Sequence, residues 1–104
     1  MEIRITRISG SLSGGTWYIG RVGGYQFEAL VFAEPSRYGI DGGQVSKLCL
    51  LDKPRTRGGR ELACYDRGWE LRPEEASQVA GVDWGAVREA IGQVVEETSR
   101  RERG

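Results

Sequence analysis

Histidine is missing altogether from the 104 residues, so no side chain has an ordinary pKa near neutrality and no Ser-His or Cys-His nucleophile can be assembled. Hydrolase triads of that kind are excluded. Net charge is missing too: 15 Lys and Arg balance 15 Asp and Glu, which leaves the whole molecule without electrostatic bias toward nucleic acid or an anionic membrane. Any such bias has to be local. No apolar run approaches the roughly 20 residues that span a bilayer. The N-terminal stretch MEIRITRISG has no uninterrupted apolar core of the signal-peptide kind, so the expected location is the cytoplasm, with no membrane partner. Cysteine is scarce. Cys49 and Cys64 are too few for a disulfide framework and lack a Cys-x-x-Cys spacing, and each lies in a strand-like run where a small buried thiol serves as core filler.

What is present reads as one α+β domain over residues 1–104. EIRITRI places Ile3 and Ile5 at period two, a first strand with one buried face, and SGSLSGG after it is a flexible linker or turn, so residues 1–15 form a strand plus linker. TWYIGRV and YQFEALVF flank Gly23 and Gly24, a two-residue connection suited to a tight hairpin. In the second arm Tyr25, Phe27, Ala29 and Val31 share one face and Gln26 and Glu28 the other, until Leu30 and Phe32 make the end apolar on both sides and suggest that it is covered. QVSKLCLL and ELACYDRGWEL are further strands on either side of the basic turn DKPRTRGGR, which closes a sheet region of residues 16–72. From Pro73 the period changes. PEEASQVAG predicts a short helix ended by Gly81, and Asp83 caps a second helix whose Val87, Ile91, Val94, Val95 and Thr98 form an apolar stripe, so residues 73–101 are helical and SRRERG is a charged end that frays. The expected architecture is an antiparallel meander of four or five strands with the C-terminal helix packed on one face.

Candidate chemistry is thin. Glu28, Glu34, Asp41, Asp52 and Asp66 are scattered carboxylates without a visible pairing for acid/base work. Gly39, Gly42 and Gly43 match neither a dinucleotide fingerprint nor a phosphate loop, and Asp41 alone makes no calcium loop, so no catalytic residue, metal or cofactor is expected. Binding is better supplied. SRYGIDGG and YDRGW offer the flat faces of Tyr38, Tyr65 and Trp69 beside the directional groups of Arg37, Asp41, Lys47, Asp66 and Arg67, a mixture found in ligand pockets and protein interfaces. The plainer alternative is structural: the glycines serve a strand connection, Asp66 to Gly68 form a bulge or turn, and Trp69 is core. Lys53, Arg55, Arg57 and Arg60 on the basic turn could contact phosphates, although such a tip is more often a solvated loop. The two C-terminal segments have the order of a helix-turn-helix, but Arg88 alone near the start of the second offers few donors to base edges.

Taken together, TWYIGRVGGYQFEALVF, SRYGIDGGQVSKLCL and YDRGW, with their pattern YGIDGG followed by SKL and then YDRGW, resemble a family of small uncharacterised proteins of phages, prophages and other mobile elements, over residues 16–72. The resemblance carries no catalytic residues with it. It implies an accessory role in a bacterial host cell, such as inhibiting a host defence complex, sequestering a small signal molecule or modulating a host enzyme. The function expected is therefore that of a non-enzymatic binding protein with a host protein partner, engaged near Tyr38 and Trp69. The alternative is a nucleotide, small-signal-molecule or nucleic-acid binder using Arg37, Arg55, Arg57 and Arg67.

Overall fold

Alternation of apolar and polar side chains builds six strands in the computed structural model, which describes residues 1–103: β1 (Ile3–Gly10), β2 (Thr16–Val22), β3 (Tyr25–Val31), β4 (Val45–Leu51), β5 (Glu61–Asp66) and β6 (Trp69–Leu71). They lie in one antiparallel sheet in chain order, a simple meander. The five apolar runs of the sequence become six strands because ELACYDRGWEL is not continuous. Arg67 takes a left-handed backbone with φ of 58°. The chain reverses there, and Tyr65 pairs with Trp69 on the returning strand.

Register sorts the side chains into two faces. Tyr18, Ala29, Leu48 and Tyr65 form one cross-strand row, and Gly20, Phe27, Leu50 and Ala63 the next. Both rows belong to the core face. The opposite face carries Trp17, Leu30, Lys47 and Asp66 in one row and Ile19, Glu28, Cys49 and Cys64 in the next. Gly23, with φ of 57°, makes the two-residue turn between β2 and β3 that its sequence suggests.

One long helix, α1 (Trp84–Arg103), covers the core face. Asp83 caps it, its side-chain oxygen accepting the Gly85 amide at 2.9 Å. Val87, Ala90, Ile91 and Val94 are buried in one cluster with Tyr18, Phe27, Leu48 and Leu50. Each such large side chain contributes about 1.5–3 kcal/mol by leaving water. The preceding Pro73–Gln78 is a 3-10 turn and not the expected α-helix. It seats Pro73 and Ala76 in the interior. Among the described residues one true helix lies on the sheet and no recognition helix stands free, so the helix-turn-helix arrangement does not form.

The charged C-terminal segment does not fray before Arg103 either. Glu102 accepts hydrogen bonds from the Thr16 and Tyr18 hydroxyls, both at 2.7 Å, and Arg103 donates to the Gln44 amide oxygen at 3.0 Å. Those contacts tie the last turn to β2 and to the start of β4. Burial first, then the bond and charge of Glu102, push the Tyr18 phenol from its ordinary 10.0 up to about 12. The folded chain thus keeps a proton that the unfolded chain releases at lower pH. This contribution to stability is whole below pH 10 and lost as pH rises through about 12. Urea unfolding at increasing alkaline pH should show the decline, and Tyr18→Phe should flatten it; an identical slope in the variant would remove Tyr18 from the account.

Candidate functional site

The loop from Ser36 to Gly43 is closed by its own backbone. Ser36 N–H bonds Gly43 O at 3.0 Å, Gly39 N–H bonds Ser36 O at 3.0 Å, and Gly43 N–H bonds Ile40 O at 2.9 Å. Ile40 anchors it in the core. The glycine that this closure demands is Gly39, where a Cβ would stand 2.0 Å from Gly43 O. Gly42 adopts φ of 71°, whereas Gly43 keeps an extended backbone that other residues can adopt. The glycines are therefore structural. Arg37 and Tyr38, by contrast, are presented outward: Tyr38 is 47% exposed, and the Arg37 guanidinium lies 4.9 Å over its ring while donating to its hydroxyl at 2.8 Å.

The eight candidate residues share one end of the sheet but not one surface. Tyr65 is buried, its hydroxyl donating to the Tyr38 carbonyl at 2.8 Å and its ring meeting Trp69 edge-on at 5.1 Å. It is a strut between loop and core. Asp41 and Trp69 fall on the helix side, lining a cleft of about 610 Å³ with Trp84, Arg72 and Arg88. Tyr38, Lys47 and Arg67 fall on the opposite, helix-free side, around a second cleft of about 720 Å³. Asp66 stands beside it, 3.8 Å from the Lys47 ammonium.

Leu30 and Phe32 also line that second cleft, with Ser13 and Gly14 of the β1–β2 loop and Ser46. The sequence marks these two as a covered apolar end and not as part of a site. The β1–β2 loop comes down on these apolar residues so closely that a Cβ at Gly15 would lie 2.9 Å from Leu30 Cδ1 and 3.1 Å from the Phe32 ring. The signal was present. Leu30 shares the face of Gln26 and Glu28, where alternation calls for a polar side chain.

The basic turn is largely neutralised from within. Arg55 donates to Glu28 at 3.0 Å and Glu61 at 2.9 Å, bonds that raise its pKa further, and Arg60 meets Asp52 at 2.8 Å and holds that carboxyl below its usual range. Two of the four candidate cations are thus committed to carboxylates of the turn and the sheet. Among the described residues Lys53 and Arg57 alone of the four make no ion pair.

The cysteines are not the separate core fillers expected. Cys49 and Cys64 face each other in register on β4 and β5 and form a disulfide. Both side chains point to the helix-free face, where Cys49 stays half-buried. With Glu61 they make the one group among the described residues whose ligand atoms lie within 4.8 Å of one another, as a metal would require. Two sulfurs bonded to each other offer no thiolate, and Glu61 is taken by Arg55.

No helix of the described residues is long and apolar enough to cross a membrane. Neither the curated proteins nor the solved structures contain a match to this chain. Among protein families, however, one described as a domain of unknown function (DUF7678) matches residues 16–83, from the first residue of β2 to the cap of α1. That span is more than half of the sequence and holds the loop and five of the six strands, so the chain belongs to the DUF7678 family.

Proposed function

We propose that this chain is a non-enzymatic binding protein whose partner is another protein, docked at the helix-free end of the sheet around Tyr38. One observation carries the reading: the open cleft of about 720 Å³ lined by Leu30 and Phe32 together with Tyr38, Lys47 and Arg67. Apolar side chains beside aromatic and cationic ones are the composition of an interface centre. A pocket enclosed by Tyr38, Tyr65 and Arg67 together would have favoured a small ligand instead. Tyr65 turns away into the core, and the cleft stays open. A bacterial host and a mobile-element origin belong to the same proposal, with inhibition of a host protein as the role. A nucleotide or small signal molecule is the second reading, favoured by the tryptophans and arginines of the helix-side cleft.

The test is capture from host lysate by the wild-type chain and by Tyr38→Ala, with mass spectrometry of retained proteins and small molecules. Tyr65 bonds the Tyr38 carbonyl, so the substitution leaves that strut in place. A retained protein whose affinity falls about tenfold or more in the variant, the loss typical of an interface tyrosine, is expected. Equal retention by both chains would overturn the site. A nucleotide retained in place of a protein would promote the second reading.

A further inference from the structure

Resting on the protein-binding reading, we propose that Lys47 and Arg67 form a seat for a carboxylate, so that the docked segment is acidic and lays a neighbouring apolar side chain over Phe32. The first reason is charge. Of the residues that line the cleft, Lys47 and Arg67 are cationic and Glu34 alone is anionic. Lys47 is only loosely held, 3.8 Å from Asp66, and Arg67 makes no ion pair among the described residues. A guanidinium with five unclaimed donors matches the two oxygens of a carboxylate.

The second reason lies in the backbone. Arg67 holds φ of 58°, a conformation that costs a non-glycine residue free energy, and its amide is fixed to Ser46 O at 2.9 Å. A glycine would sit there without strain; arginine instead places a guanidinium on the rim beside Ser46 and Lys47.

The experiment titrates the isotopically labelled chain with two probes: the peptide acetyl-Leu-Phe-Glu-Asp-amide and its neutral counterpart acetyl-Leu-Phe-Gln-Asn-amide. The acidic probe should shift the amide signals of Leu30, Phe32, Ser46, Lys47 and Arg67, bind about tenfold or more tightly than the neutral one, and weaken as salt rises. Arg67→Gly removes the guanidinium while keeping the left-handed backbone unstrained, and it should erase the preference without lowering the melting temperature. Equal binding of the two probes at these residues would overturn the carboxylate seat and leave the protein-binding cleft standing. Acidic preference that survives Arg67→Gly would also overturn the seat. Binding of neither probe would count against seat and cleft together.

Discussion

Val94→Asp should abolish cooperative folding. Val94 is 0% exposed at the middle of the helix stripe and is packed in one cluster with Phe27, Leu48 and Leu50. A carboxylate there has no cation within the core cluster, no member of which carries a charge. An isolated buried charge costs more than about 4–5 kcal/mol, the exceptional end of single substitutions, against a total stability of about 5–15 kcal/mol for a domain of this size. The loss is comparable with the whole. Val94→Ala, which removes two methyl groups and adds no charge, should cost only about 2–3 kcal/mol and remain folded. Circular dichroism with urea titration separates the cases: a Val94→Asp chain that unfolds cooperatively near the wild-type midpoint would show that the stripe is not packed on the sheet.

The prediction is safe because this part of the fold is written locally. Val87, Ile91, Val94 and Thr98 recur at helical spacing, and Tyr25, Phe27, Ala29 and Val31 recur at strand spacing, so each element announces its buried face without reference to the others. Gly23–Gly24 and Asp83 are equally local signals, and they form the turn and the cap that their types suggest. The break in ELACYDRGWEL is legible only as the plainer alternative, a bulge or turn over Asp66 to Gly68, since Gly68 hints at a reversal while Arg67 disfavours the left-handed backbone it adopts. The end of α1 is harder still. Its order depends on Glu102 meeting Thr16 and Tyr18, more than eighty residues away in the chain.

The candidate site fails to coalesce for a related reason. Arg37, Tyr38, Asp41, Lys47, Tyr65, Asp66, Arg67 and Trp69 fall in two stretches of sequence, one running from the Ser36–Gly43 loop into β4 and one across the β5–β6 turn, and those stretches do meet at one end of the sheet. A sheet has two faces, however, and a single residue of register moves a side chain from one to the other. Tyr65 and Asp66 show it within one dipeptide, the first in the core and the second on the helix-free surface. Bulges at Leu30/Val31 and Leu50/Leu51 decide which residues stand opposite each other. Those shifts arise from strand pairing, and nothing in the spacing of the individual runs encodes them.

Reduction of the Cys49–Cys64 disulfide should lower stability by about 3 kcal/mol, the loop-closure entropy returned to the unfolded chain when a link across roughly 15 residues is cut. Little of the effect should come from lost packing. The residues sit directly opposite on β4 and β5, Cys49 is half-buried, and the ladder around them is held by its own hydrogen bonds together with the Arg55 bridge between Glu28 and Glu61. The folded state therefore has no need to rearrange when the sulfurs separate, and the change falls mainly on the unfolded ensemble that the link restricts. Urea unfolding with and without a phosphine reductant measures it. The expected result is a lower midpoint under reduction, with a thiol count rising from zero to two. In the Cys49→Ser, Cys64→Ser double variant the midpoint should already be lowered and indifferent to the reductant. A wild-type midpoint unmoved by reduction, with two thiols free from the start, would return the pair to the role its sequence context suggests, two small side chains that pack without a bond.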